Sequence, residues 1–211
     1  KKFKYLGAYI SHDLKDDFEV NTRITKATAQ LGALKYFFRP PQVELETKFM
    51  IYMAIPLNTV LWGCESWAVS ANINRKLLAF HHKNIRWILN INMYQVQHDK
   101  ITNKQVRQRF CNIPNIDDII MKRQLKWLEK ISHMNPATKP PRMLIAAWHN
   151  HPRNQGQPQI SYRNTYAHIL QTMIPSLSKE APLNDWLPIM TDKPRWTTMM
   201  NNWWKKCLNI L

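Results

Sequence analysis

The stretch from Asn21 to Phe38, NTRITKATAQLGALKYFF, carries the clearest periodicity in the chain. Its apolar residues recur every three or four positions and so fall on one stripe of a helix: Ile24, Ala27, Leu31, Leu34 and Phe38. The cations Arg23 and Lys26 lie off that stripe, and the Pro40-Pro41 pair ends the helix. The segment predicts an amphipathic helix with basic residues outside its apolar stripe, and it indicates a mainly α fold.

Further elements are predicted on both sides of this helix. Leu45–Leu61 is apolar nearly all round, which indicates a buried helix that is kinked or ended near Pro56. Residues 3–10 alternate partly and are rich in aromatics, which predicts a short N-terminal β-strand or hairpin arm. Thr102 followed by Gln105 fits a helix-starting capping box. The remaining predicted helices are Asn72–Leu89, Thr102–Phe110, Asp117–His133, Tyr162–Met173 and the helix-compatible Trp196–Leu211.

The chain is strongly basic, with thirty Lys and Arg against fourteen Asp and Glu and a net charge of +16. Such an excess repels itself unless a polyanion is near, and the usual polyanions are nucleic acids and anionic membranes. Half of the excess lies in residues 72–133. Two rows of cations there have helical spacing: Arg75/His82/Arg86, and Lys122/Lys126/Lys130 with Arg123 beside it. Such rows match a phosphate backbone, although a solvated helix face has the same pattern.

A membrane partner is not expected. The longest run without charge, residues 49–64, contains Pro56 and Asn58 and falls short of the roughly 20 apolar residues that span a bilayer. The first residues show neither a signal-peptide pattern nor an initiator Met, so we expect a piece of a longer protein. The three cysteines make no disulfide framework, which indicates an intracellular location in the nucleus or cytoplasm.

Catalytic and metal-binding patterns are not predicted within the chain. Nucleotidyl transfer by a polymerase needs acidic groups that hold two Mg²⁺ ions. The aspartate pairs Asp16-Asp17 and Asp117-Asp118 are better explained by a turn and by a helix start. His149 and His151 lack the Cys or carboxylate spacing of a zinc site. We therefore assign no catalytic residue, metal or cofactor to this chain.

Seven blocks of the chain, taken in order, resemble segments of LINE-type (non-LTR retrotransposon) reverse transcriptases. The first, Phe3-Lys4-Tyr5-Leu6-Gly7, is similar to the F-K-Y-L-G signature that follows the catalytic hairpin in that family. The basic helix at 21–38 resembles the helix that comes next. The other blocks are 48–67 (K-x-x-x-Y … L-W-G-C-E-S-W), 77–89 (L-L-A-F-H … I-R-W-I-L), 101–106 (I-T-N-K-Q-V), 122–128 (K-R-Q-L-K-W-L) and 156–163 (G-Q-P … S-Y-R). Two positions depart from the family pattern, since Glu129 replaces a Gly and Gln157 replaces an Arg.

The resemblance implies the C-terminal part of an RNA-directed DNA polymerase. Residues 1–20 would be the end of the palm, a primer-grip-like segment. Residues 21–133 would be a helical, thumb-like nucleic-acid-binding domain, and residues 134–211 a Pro-rich connector with C-terminal helices. The family's metal-binding aspartates precede the F-K-Y-L-G block. They, their Mg²⁺, the rest of the palm and the fingers would therefore lie N-terminal to this chain, which alone should be inactive.

The expected role is to bind RNA, DNA or an RNA–DNA hybrid, as a template–primer duplex, through phosphates and 2′-hydroxyls. The predicted binding residues are Phe3, Lys4, Tyr5, Leu6, Gly7, Arg23, Lys26, Arg75, His82, Arg86, Lys122, Arg123, Lys126 and Lys130. A stand-alone basic nucleic-acid-binding module, a relic without polymerase function, is the second interpretation. A basic helical protein-interaction domain is the third, and it predicts binding that is insensitive to salt.

Overall fold

A computed structural model describes residues 2–5, 7–11, 16–135, 137–138, 162–178 and 181–208. Strands β1 (Lys2–Tyr5) and β2 (Ala8–Ser11) form an antiparallel hairpin in which Phe3 is opposite Ile10 and Lys4 is opposite Tyr9. Gly7, in the short connection, has φ +85°, a left-handed conformation that glycine adopts without a side-chain clash. The predicted hairpin arm is confirmed.

The rest of the described chain is mainly helical, as predicted. Most of the longer helices have an apolar stripe facing a core, which explains why periodicity located them. The helices are α1 (Asp17–Ala33), α2 (Lys35–Phe38), α3 (Leu45–Tyr52), α4 (Asn58–Val60), α5 (Ala71–Ile88), α6 (Met93–His98), α7 (Asn103–Arg109), α8 (Ile116–Ser132), α9 (Tyr162–Met173), α10 (Leu183–Thr191) and α11 (Lys193–Cys207). The fold class, mainly α with a short hairpin, is confirmed.

The segment predicted as one helix over 21–38 is two helices. The break falls at Leu34, whose φ of −88° and ψ of 12° leave the helical region. The amides of Phe37 and Phe38 both bond to the Leu34 carbonyl and start the short α2. Phe38 is fully buried and meets the Trp87 ring edge-on, with 6.2 Å between the ring centroids. The break therefore turns an aromatic side chain into the core.

The segment Leu45–Leu61 changes helix type around Pro56, and it is not buried all round. A π-helical turn, Met53–Leu57, joins α3 to α4 and contains Pro56. A proline has no amide hydrogen and crowds the preceding turn, so a local change of helix type accommodates it. Tyr52, Leu57 and Val60 are buried, whereas Met50 is 60% exposed. The prediction of all-round burial is wrong because an apolar sequence with no polar stripe does not show which side faces solvent.

Two helices escaped the sequence analysis. Helix α6 starts at a capping box in which Asn92 accepts from the Gln95 amide and the Gln95 side chain accepts from the Asn92 amide. The same arrangement at Thr102 and Gln105 starts α7 and confirms the predicted box. Helix α10 contains Pro188, which had weakened its helical pattern.

The chain divides into two compact units: residues 1–64 with 71–117, and residues 65–70 with 118–211. In the second unit the short segment 65–70 is held by Gln124, whose Nε2 donates to the Trp67 carbonyl at 2.9 Å. The Tyr166 hydroxyl likewise donates to the Glu65 carbonyl at 3.0 Å. The core of that unit includes Leu125, Leu128, Leu170, Trp186 and Trp196. The functional boundaries predicted at residues 20 and 133 stay a prediction.

Candidate nucleic-acid interface

The hairpin arm presents two aromatic side chains to solvent. Phe3 and Tyr5 are 65% and 57% exposed, and they share one face of β1 because successive side chains alternate. Lys4 is exposed as well. On the Lys4 side, Tyr9 of β2 packs edge-on against Phe18 of α1, with ring centroids 5.2 Å apart. The predicted contact Leu6 lies outside the described residues.

A buried ion pair fixes the arm to α1. Glu19 accepts the Tyr9 amide at 2.8 Å through one carboxylate oxygen and the Arg23 Nε at 2.6 Å through the other. Arg23 Nη2 also donates to the Gly7 carbonyl at 2.6 Å, and its guanidinium lies 6.0 Å from the Trp62 ring centroid. The side chains of Glu19 and Arg23 are 4% and 8% exposed. We call these contacts the arm clasp.

Arg23 was predicted to be a nucleic-acid contact off the apolar stripe, but it is not on an exposed face. The hairpin packs along that side of α1, and the two hydrogen bonds of the arm clasp turn the guanidinium inward. Lys26, three residues further on, is exposed and remains available to a ligand. Sequence periodicity assigns the side of a helix but not the element that covers it.

The predicted row on α5 is interrupted at its centre. Arg75 is exposed and Arg86 half-buried, but His82 is only 6% exposed. Arg107 of α7 donates to His82 Nε2 at 3.0 Å. Burial, followed by the positive charges of Arg107 and Arg86, lowers the pKa of His82 to about 4. His82 is therefore a neutral acceptor at pH 7 and not the cation that the row required.

The neighbouring His81 belongs to a buried polar chain. Its Nδ1 lies 3.1 Å from the Tyr52 hydroxyl, and its Nε2 lies 3.2 Å from the Pro114 carbonyl. A carbonyl can only accept, so Nε2 carries the hydrogen and Nδ1 accepts from the Tyr52 hydroxyl. Burial, then the nearby His82, lowers the pKa of His81 to about 3. Both histidines are therefore structural and neutral at pH 7.

An open groove of about 620 Å³ lies at the C-terminal end of α5 in the first unit. Helix α5 ends where Asn90 adopts φ +58° and the Ile91 amide bonds back to the Arg86 carbonyl at 2.9 Å. The turn brings α6 beside the last residues of α5. The groove is lined by Arg39, Lys83, Arg86, Trp87, Asn90, Ile91, Asn92 and Met93. Of these residues, only Arg86 was predicted to bind nucleic acid. Arg39 comes from the loop after α2 and reaches the groove through tertiary packing, which the sequence does not reveal.

The predicted row of cations lies on α8 in the second unit, and some of its side chains pack against the protein. Lys126 and Lys130 are exposed, whereas Lys122 places its ammonium 3.6 Å from the Trp204 ring centroid. Partial burial, then repulsion from Lys126, lowers the pKa of Lys122. Arg123 is half-buried and interacts within the protein. Lys126 and Lys130 are therefore the members of this row best placed to meet a ligand.

Of the acids considered for catalysis, Asp17 is engaged in the first unit. It accepts from Asn72 at 2.9 Å and lies 3.2 Å from the Lys76 ammonium. Asp117 and Asp118 fall in the first turn of α8, where a carboxylate favours the helix dipole. No group of three metal-ligating side chains occurs among the residues that the structure describes. His149 and His151 lie outside them.

Protein-family models, curated proteins and solved structures were compared with the chain, and none matches. No helix in the described ranges is long and apolar enough to cross a membrane. The case for a nucleic-acid interface therefore depends on the residues of this chain and their geometry. In chemical terms this interface offers exposed cations, exposed aromatic rings and side-chain amides, which can bind phosphates and unstacked bases without transferring a group.

Proposed function

We propose that this chain is the C-terminal portion of a reverse transcriptase of the non-LTR type and that it holds a template–primer duplex by its phosphates. The observation that carries the proposal is the pair of exposed lysines on α8, Lys126 and Lys130. They stand one helical turn apart, and the structure pairs neither with an acid among the described residues. The order of seven sequence blocks supports the family assignment.

Repulsion within the row favours a polyanionic partner. Like charges at positions i and i+4 of a helix destabilise it by a few tenths of a kcal/mol, roughly 0.2–0.5. Burial, and then repulsion from Lys126, lowers the pKa of Lys122. A phosphate backbone along the helix would reverse the effect and release its own counterions. Contacts of this kind position a duplex and carry little sequence information.

The hairpin arm would contact and position the end of the primer. Its exposed Phe3 and Tyr5 stand on a strand that the arm clasp fixes to α1 through Glu19 and Arg23. Aromatic rings held on a rigid element can pack against a sugar or a terminal base. The catalytic aspartates and their Mg²⁺ would belong to a palm N-terminal to this chain. The chain would therefore supply positioning and no chemistry.

A stand-alone nucleic-acid-binding module is the second candidate. It is favoured by the compactness of the two units in which Arg75, Lys126 and Lys130 lie. The genomic sequence upstream of Lys1 discriminates between the two candidates. An open reading frame with an aromatic-X-Asp-Asp motif supports the polymerase, and its absence supports the module.

The binding test compares two double variants of the second unit. Lys126→Gln/Lys130→Gln removes the α8 pair, and Lys193→Gln/Lys205→Gln removes the same charge from exposed positions of α11. If each α8 lysine meets one phosphate, the salt slope on an RNA–DNA hybrid should shrink by about 1.8. At about 0.1 M salt that slope corresponds to an affinity loss of up to roughly 60-fold. Equal losses in both variants would show that binding follows overall charge and would reject the α8 contact.

A further inference from the structure

The groove at the end of α5 gathers three cations that form no ion pair with an acid among the described residues. Of the eight described residues that line it, Arg39, Lys83 and Arg86 are cations and none is an acid. Arg39 donates to the Trp87 carbonyl at 3.4 Å, and Arg86 donates to the Asn103 side chain at 3.0 Å. The Lys83 side chain is exposed and has no hydrogen bond or ion pair among the described residues.

Helix capping explains only part of this charge. The C-terminus of an α-helix carries roughly −0.5 of an elementary charge, which attracts cations to its last turn. Three full positive charges around one such end exceed that by several-fold. The excess repels itself in the free protein, and an anion in the groove would relieve the repulsion.

The groove also holds an aromatic ring and apolar side chains, which phosphate binding alone does not require. Trp87 lies in its wall with Ile91 and Met93, and Met93 is 56% exposed. The Arg39 guanidinium, a planar group, lies 5.9 Å from the centroid of the Trp87 ring. The Asn90 side-chain amide makes no hydrogen bond within the described residues and could meet the edge of a base.

The shape of the groove favours a single strand over a duplex as its ligand. In a duplex the base faces are stacked on one another, so a protein meets phosphates, sugars and groove edges. A recess of about 620 Å³ falls in the range that encloses a small organic group, roughly 300–1,000 Å³. An unstacked base fits such a recess, and single strands are recognised by aromatic or guanidinium planes beside cations.

We infer that this groove binds a single-stranded nucleic-acid segment, with phosphates on Arg39, Lys83 and Arg86 and a base against the side of the groove formed by Trp87. The groove shares no residue with the α8 row proposed for the duplex. The inference rests on the proposed function only in taking the ligand to be a nucleic acid. It assigns the unpaired part of that ligand to a place in the first unit.

The first experiment changes the groove and measures two ligands. Arg39→Gln/Lys83→Gln is compared with Lys100→Gln/Arg109→Gln, an exposed Lys and Arg of the same unit that do not line the groove. The probes are a labelled single-stranded RNA of about 12 nucleotides and an RNA–DNA hybrid of the same sequence. If Arg39 and Lys83 each meet one phosphate, the groove variant's single-strand salt slope should shrink by about 1.4, an affinity loss of up to roughly 25-fold at about 0.1 M salt. The hybrid affinity of both variants should stay within about threefold of the unaltered chain.

The second experiment uses the unaltered chain, so it does not depend on how the variants fold. An abasic strand of the same length keeps the phosphates and removes the bases. Because stacking of one base contributes about 1–3 kcal/mol, the abasic strand should bind roughly tenfold more weakly. Equal affinity for the RNA strand and the abasic strand would overturn the inference. So would displacement of the bound RNA by polyglutamate of the same charge, added at the concentration at which unlabelled RNA displaces it. So would a groove variant that keeps its single-strand affinity or binds both ligands more weakly to the same degree. Failure of hybrid binding in the unaltered chain would instead count against the proposed function.

Discussion

Arg23→Met is the sharpest perturbation of the arm clasp. It keeps a long side chain near Trp62 but removes the donors to Glu19 and to the Gly7 carbonyl. Removing one member of a buried ion pair typically destabilises a protein by about 3–5 kcal/mol. Glu19 keeps the Tyr9 amide as a partner, so we expect the low end, about 3 kcal/mol.

The rate of amide hydrogen exchange at Tyr9 reports directly on the arm clasp, because that amide donates a hydrogen bond to Glu19. A loss of about 3 kcal/mol corresponds to exchange that is faster by roughly 150-fold. Lys26→Met is the control: it removes a cation from an exposed position of the same helix, and surface changes are usually within about 0.5 kcal/mol. If Arg23→Met left exchange and unfolding unchanged but weakened hybrid binding, Arg23 would be a ligand contact and the structural role would be refuted.

Other parts of the molecule give three further predictions. Because the pKa of His81 is about 3 in the folded chain and about 6.5 when unfolded, the unfolded state binds the extra proton between these values. Acidification from pH 7 to pH 5 should therefore lower the free energy of unfolding by about 2 kcal/mol through His81, and His81→Gln should reduce the pH dependence of urea unfolding by about one proton. Thr102→Ala should destabilise the first unit by about 1 kcal/mol in urea unfolding, since Thr102 caps α7, whereas an unchanged midpoint would show that the cap contributes nothing. The chain alone should not extend a primer on an RNA template with dNTPs and Mg²⁺, and template-dependent extension lost on changing Asp16, Asp17, Asp117 and Asp118 to Ala would contradict the placement of the catalytic acids elsewhere.

Patterns among residues near in sequence predicted most of the helices and strands but not the tertiary contacts of their side chains. The apolar spacing of α5 and α8 and the Thr102 capping box depend on residues near in sequence. The bounds of their helices were therefore predicted to within one residue at each end. The burial of Arg23 and His82 depends on the hairpin and on α7, which no local pattern reveals. The groove likewise needs Arg39 beside Trp87, an approach across 48 residues of sequence.

The salt dependence of binding tests the central claim most directly. The unaltered chain is titrated onto an RNA–DNA hybrid over a series of salt concentrations, and log K is plotted against log salt. With one phosphate on each of Lys126 and Lys130, the slope should be at least as steep as about −1.8, and steeper if Arg75 and Lys26 also engage. A slope near zero, or no binding at low salt, would contradict the claim that the exposed cations of this chain meet nucleic-acid phosphates.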